Sequence, residues 1–230
     1  MKKAAFMMTV LLVLGVVVCA QTIPKPGPGG GLYFDVLPRT MQGRVMVPLR
    51  AIFEWVGARV EYQAGQISAY DAGSQTPRVV LWIGQTQAQL SGQPYQLDVP
   101  PVVIEGRTFV PLRFVAESFG VWVDAKGRTV TLQMPQYNLK ADMAIPPAEG
   151  SHESKIWGII ADWYGAEAGQ PTPGVIGIRV VADQADPHAG VASVKVLAKW
   201  DDGSYTQDEF SLHLERTGWQ IDGRSSAAIH

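Results

Sequence analysis

The sequence predicts an α+β fold. It consists of an antiparallel sheet packed on short helices with an internal pseudo-repeat, followed by a small α+β domain of one helix on a three- to four-stranded antiparallel sheet. Three observations predict it. The stretch GRVMVPLRAIFEWVG from Gly43 is echoed by GRTFVPLRFVAESFG from Gly106. Short apolar runs bounded by Gly, Pro, Ser and Asp fill the space between the copies, as strands and turns would. Near the C-terminus one segment of helical period precedes several long runs of strand period.

The copies are offset by 63 residues, Gly43 to Gly106. Each opens with an extended run, 44–47 or 107–110, closed by Pro48 or Pro111. Proline suits the first helical position, where its missing N–H would be unpaired anyway, and it biases the residue before it to extended geometry. Leu49, Ile52, Phe53 and Val56 then fall on one helical stripe, as do Leu112, Val115, Ala116 and Phe119. Gly57 and Gly120 stand where a left-handed residue would end each helix. A hairpin follows in each copy, at 60–70 and 123–132. Between the copies, residues 88–97 and 102–110 predict further hairpins, with Ser91-Gly92 and Glu105-Gly106 as turns. Arg50 and Glu54, like Arg113 and Glu117, are four residues apart on a helix and form an intrahelical ion pair with a structural task. An arginine bonding carbonyls at the strand junction is the alternative use.

Composition narrows the function. Apolar residues make up 47% and charged residues 17%, so the 230-residue chain is able to build a core, as one large or two small domains. A formal charge of −2 leaves no electrostatic footprint for nucleic acid or an anionic membrane surface. Residues 1–20 read as a signal peptide: Lys2 and Lys3 precede an apolar stretch, with Val18 and Ala20 at the cleavage site. Cys19 is the only cysteine, so no internal disulfide exists. Lipidation at Cys19 is the alternative to cleavage after Ala20. Membrane contact is expected only through the signal peptide or that lipid. Residues 21–31 read as a Pro/Gly spacer, 32–134 as the repeat domain, 135–150 as a linker, 151–222 as a second domain and 223–230 as a tail.

One family carries these motifs. GQTQAQLSG from Gly84, LDVPP from Leu97 and EGRTFVPLRFVAE from Glu105 resemble the copper amine oxidase N-terminal, or stalk-like, domain of secreted bacterial proteins. The structural residues of its motif fall on Gly43, Arg44, Pro48, Arg50, Glu54, Gly57, Gly106, Arg107, Pro111, Arg113, Glu117 and Gly120. The first copy departs from the motif with Val45-Met46 where the second has Thr108-Phe109. The resemblance implies an antiparallel sheet round a helix, used as an extracellular module. It implies neither copper nor quinone cofactor, because both belong to the oxidase's separate catalytic domain.

Catalytic chemistry has little to stand on. His152, His188, His213 and His230 show no metal-ligand spacing, and Asp201-Asp202-Gly203 reads as a turn between strands. No nucleophile motif or phosphate-binding loop occurs. The aromatics are the better lead. Trp82 and Trp122 are out of phase with the apolar residues of their strands, and Trp55 lies at the edge of its helix stripe. Together they are the candidate interaction surface for a glycan ring or a protein.

In the second domain, Ile156, Ile159, Ile160 and Trp163 form a helix stripe, followed by strands at 175–182, 192–200, 205–214 and 219–221. This order resembles the cystatin-like or nuclear-transport-factor-like fold. Trp157, Trp163, Trp200 and Trp219 read as core. The expected function is that of an exported, non-catalytic envelope protein, a binding or scaffold module for a cell-wall polymer or an extracellular protein. One alternative is a small-ligand binder using the C-terminal sheet. The other is a hydrolase-type enzyme with His152, Asp162 and His188 at the domain junction.

Overall fold

A computed structural model describes residues 28–168 and 174–230. The signal-peptide reading, Cys19 and residues 21–27 of the spacer lie outside the described residues. A 3-10 turn, Pro28–Gly31, leads into β1 (Arg39–Met41), β2 (Arg44–Pro48), α1 (Leu49–Trp55), β3 (Arg59–Gln63) and β4 (Gln66–Tyr70). Next come β5 (Val79–Trp82), β6 (Gln87–Leu90) and β7 (Gln93–Gln96). The second copy is β8 (Val102–Ile104), β9 (Arg107–Pro111), α2 (Leu112–Ser118), β10 (Trp122–Lys126) and β11 (Thr129–Met134). The chain ends with β12 (Leu139–Ala144), α3 (His152–Ala168), β13 (Val175–Asp186), β14 (Val191–Trp200), β15 (Tyr205–Glu215) and β16 (Gly218–Ala228).

The repeat is longer than its phrase. Hairpin β1–β2 recurs as β8–β9 at the same offset of 63 residues. Both turns, Gln42-Gly43 and Glu105-Gly106, have positive φ at both central residues. That geometry matches the twist of the flanking strands, and glycine adopts it without strain. The two copies meet in one sheet ordered β1-β2-β9-β8. In it Val47 pairs with Val110, Met46 with Pro111 and Pro48 with Phe109. Each residue of one copy therefore faces its equivalent reflected through the Val47–Val110 pair, which marks a pseudo-two-fold axis.

Salt bridges follow the same symmetry. Arg44 reaches Asp98 at 2.7 Å, and Arg107 reaches Asp35 at 3.1 Å. The arginine of each "G-R" thus pairs with an aspartate of the other copy. Phe53 of α1 meets Phe119, just beyond α2, edge to face at 5.9 Å. The first core gathers Val47, Ile52 and Phe53 with Val110, Leu112 and Val115.

Pro48 and Pro111 end their strands and cap the helices rather than opening them. Their ψ values of 126° and 116° are extended, which places each proline one residue before the expected position. The missing N–H still falls where the helix would leave it unpaired.

The flanking hairpins each recruit further strands. β3–β4 joins β5, β6 and β7 in a five-stranded sheet, while β10–β11 joins β12 in a three-stranded one. The second domain is a meander, β13-β14-β15-β16, with α3 packed on β13 and β16. Its core includes Ile156, Trp157, Ile160, Tyr164, Trp200, Phe210 and Trp219. The helix stripe is thus rotated from the expected one. Trp157 and Tyr164 are buried, whereas Ile159 and Trp163 are only partly covered.

Three expected connectors are ordered structure. Within residues 135–150, β12 pairs with β11 along its length and lies against β13. Residues 223–228, expected to be a frayed tail, continue β16 beside β15, and the Ile229 N–H bonds the Tyr205 carbonyl. The spacer's last residues dock on β12. A Cβ at Gly30 would collide with the Lys140 carbonyl, and Trp55 donates to the Gly30 carbonyl at 2.6 Å. Compositional signs of a linker fail here because backbone pairing, which most residues can supply, holds these segments together with a few buried side chains such as Ala141 and Met143.

The two cores are joined at several points. Phe34 and Ile178 exchange backbone hydrogen bonds of 2.9 and 2.8 Å. Arg179, fully buried, donates to the Leu32 carbonyl at 2.9 Å. Burial lowers its pKa to about 10 against the opposing pull of Tyr33 and Asp142, and the Tyr33 phenol is pushed up to about 12, chiefly by its own burial. Buried Asp183 accepts from Trp157 at 2.9 Å and from the Arg128 guanidinium at 2.9 to 3.2 Å.

Urea unfolding separates these contributions. Val47→Ala and Val110→Ala are each expected to cost about 2 kcal/mol, as deletion of buried methyls does. Arg44→Ala and Arg107→Ala are expected to cost less than about 1 kcal/mol, as exposed ion pairs do. Equal losses in the two pairs would contradict the placement of the axis in the core.

Candidate functional site

The site begins with strand alternation in β10, β11 and β12. Val130, Leu132, Met134, Ala141 and Met143 are buried in the first core, so their neighbours point the other way. Across the ladder Trp122 pairs with Gln133, Asp124 with Thr131, and Thr131 in turn with Asp142. The outer face is thus a polar grid with one indole at its edge. Trp122 is 73% exposed, the most exposed large apolar side chain described. A cleft of about 680 Å³ opens beside it, lined by Glu117, Gly120, Asp124, Thr131 and Gln133 among others.

The repeat motif builds one wall of this cleft. Gly120, at φ 75°, turns the chain from α2 toward β10. Glu117 sits on the last turn of α2, held by Arg113 at 3.2 Å. Arg113 also donates to the Val123 carbonyl at 3.1 Å, so the motif arginine ties helix to strand. In the first copy, Arg50 stands 4.0 Å from Glu54 with both side chains in solvent. Thr131 donates to Asp142 at 2.6 Å, and Lys140 stands 3.0 Å from the same carboxylate. Burial works against the Asp142 charge, but these two contacts outweigh it and hold its pKa low.

The three tryptophans do not form one surface. Trp82 is half-buried in β5, in the sheet of the first copy, whereas Trp122 belongs to the sheet of the second. Trp55 is half-buried against the first core and its N–H is committed to Gly30. Trp122 alone presents an open ring.

The second domain places its polar groups elsewhere. Tyr164 donates to fully buried Asp208 at 2.5 Å. Arg224 stands 3.0 Å from the other oxygen of Asp208, without hydrogen-bond alignment, and 4.5 Å over the Trp163 ring. Burial, and then the Asp208 carboxylate, push the Tyr164 phenol far above its usual pKa, so it stays protonated. This cluster ties α3 to β15 and β16. Trp157 and Trp200 also fill core, with their N–H groups given to Asp183 and Thr206.

The histidines stay apart. His152 accepts from Trp219 at 3.1 Å. Asp162 is exposed ten residues further along α3, about 15 Å at the helical rise. His188 lies in the β13–β14 turn, where its backbone N–H bonds Asp186. No hydrogen bond joins any two of these three. Among the described residues, no three His, Cys, Asp or Glu side chains are grouped to hold a metal. The Asp201-Asp202-Gly203 stretch is a turn, in which Asp202 accepts from the Ser204 N–H at 2.8 Å. No described helix is long and apolar enough to cross a membrane.

His213 escaped sequence reasoning as a local charge centre. Its ring nitrogens stand 2.5 Å from Asp222 and 2.9 Å from Glu215. No motif foretells this, because a bulge between Ser211 and Leu212 in the β15–β16 pairing brings Asp222 round to it. The Glu215 carboxylate favours the imidazolium most, desolvation opposes it, and Asp222 adds to the net rise in its pKa. A pKa raised on folding contributes stability that is complete below the unfolded value and fades as pH rises through the folded value. The melting temperature of His213→Gln is therefore expected to fall further below that of the unaltered protein at pH 5 than at pH 8. A pH-independent gap would contradict this.

Comparison with known proteins bears on the repeat domain. The model of the copper amine oxidase N-terminal domain family matches residues 29–134. No curated protein and no solved structure matches the chain at a significant level. The match starts within the Pro28–Gly31 turn and ends with β11, so it takes in both copies of the repeat and leaves out β12. It covers the stalk-like module and not the oxidase's catalytic domain. Residues 29–134 of this chain thus match the family of copper amine oxidase N-terminal domains, whose members are stalk-like modules separate from the catalytic domain.

Proposed function

We propose that this is an exported, non-catalytic envelope protein whose stalk-like domain binds a cell-wall polymer or an extracellular protein. One observation carries the reading: Trp122 leaves its indole 73% exposed beside an open cleft on a sheet whose other face is core. Burying an aromatic ring is favourable by itself, so an open indole lining a cleft with Val121 and Val123 offers apolar area to a partner. The stalk-like family supports the non-catalytic part. The second domain, locked to the first through Asp183, Arg179 and β12, then acts as a rigid extension of the stalk.

Purified cell-wall fractions provide the test. Residues 21–230 are expected to co-sediment with them, and Trp122→Ala to lower the retained fraction about tenfold, with Trp82→Ala changing it little. Equal, negligible retention of all three proteins would sink the wall-binding form of the proposal. Capture of a defined extracellular protein, lost in the Trp122 variant, would then support the protein-partner form.

A further inference from the structure

We infer that the Trp122 cleft is a subsite for a neutral, β-linked glycan chain, with the indole stacking on a sugar ring and the strand residues beside it reading its hydroxyls. This rests on the binding-module reading above and names its ligand.

The lining shows what the cleft accepts. Among the described residues no lysine or arginine lines it. The motif guanidinium of Arg113, whose partner Glu117 lines the cleft, is committed to Glu117 and to the Val123 carbonyl. A phosphate- or carboxylate-bearing polymer would therefore meet carboxylates first, because the lysines of this face, Lys126 and Lys140, lie outside the lining and Lys140 is paired with Asp142. Of the two lining carboxylates, Glu117 is already neutralised by Arg113, which leaves one, Asp124. A strongly cationic segment would find little charge to hold it. The lining is apolar at Val121, Trp122 and Val123 and polar at Asp124, Thr131 and Gln133, so a wholly apolar peptide or lipid tail would cover those polar groups without satisfying them, which is costly.

A neutral sugar avoids all three conflicts. Its flat C–H face suits an open indole, and its hydroxyls both donate and accept. Asp124 accepts, the Gln133 amide does both, and Thr131, whose proton goes to Asp142, keeps lone pairs for a hydroxyl donor. Trp122 and Gln133 are directly opposite on neighbouring strands, and Asp124 and Thr131 are the next pair on the same face. Those positions are about 4.8 Å apart across the strands and about 6.6 Å apart along them. A hexose lying on Trp122 thus has polar partners at its rim in both directions. β-Linkage keeps successive rings extended, so the chain would run along the sheet, whereas an α-linked chain curls away from a flat surface.

The experiment uses residues 21–230 with two soluble probes, chitotetraose and cellotetraose, followed by calorimetry and by acrylamide quenching of tryptophan fluorescence. At least one tetrasaccharide is expected to bind saturably, to shield Trp122 from quencher, and to bind equally well at low and high salt. Trp122→Ala is expected to weaken binding about tenfold or more, and Asp124→Ala several-fold. Both positions are exposed, so both variants should melt with the unaltered protein, which separates loss of contact from loss of fold. The inference is overturned if neither sugar binds, if Trp122→Ala binds as well as the original, or if a lysine-rich peptide binds instead with an affinity that collapses in salt. Retention on wall fractions without tetrasaccharide binding would overturn the glycan ligand while leaving the envelope proposal standing. Tetrasaccharide binding without wall retention would support the ligand and sink the wall reading.

Discussion

Val47 faces Val110 across the β2–β9 ladder, and the arrangement of the first domain depends on that pair. An antiparallel pairing centred on equivalent residues makes the two copies reciprocal. Each "V-P" step then turns from the shared sheet into its helix, and the two helices converge over the same core. Arg44 and Arg107 reach across the axis to Asp98 and Asp35 because the pairing brings each arginine beside the other copy's chain. Neither copy buries its apolar stripe alone. Both stripes are buried in one shared core, so each copy covers the other.

The symmetry stops where the third strands are added. β5 completes the first hairpin and continues into β6 and β7, whereas β12 completes the second and turns toward the C-terminal domain. β12 is the element shared by both halves of the protein. Ala141 and Met143 belong to the first core and Ala144 to the second. The incoming segment at Gly30 docks on its outer edge, and Arg179 is drawn to the Leu32 carbonyl behind it. Asp183 adds a buried carboxylate held by a tryptophan of α3 and an arginine of the β10–β11 turn. A charge buried there is tolerated because both partners are in place. The asymmetry also leaves the outer face of β10 and β11 open, and with it Trp122.

Much of this was legible in the residues. The repeat, its prolines, closing glycines and hairpin turns are local features, and their geometry follows from steric rules that act over a few residues. The repeat was longer than its obvious phrase, and the missed signal is "D-V-x-P", which begins at Asp35 and again at Asp98 with the same offset. These are the aspartates that the cross-copy arginines use. The phase of Trp122 was also legible, since its neighbours in β10 point inward. That Trp82 belongs to a different sheet was not legible, because strand alternation specifies a face without saying which sheet the face belongs to. The same limit hid His213, whose partners arrive through a bulge.

The sequence by itself determined the α+β class, the duplicated strand-helix-hairpin unit and the family likeness of residues 29–134. Each of these is written in composition, period or short-range spacing. Tertiary structure alone decided that the copies pair about Val47 and Val110, that the supposed linker is a strand, and that one tryptophan of three stands open. Those outcomes depend on which backbone edges find each other across dozens of residues. Hydrogen-bond pairing of that kind is available to almost any side chain, so it leaves little trace in the residues that take part.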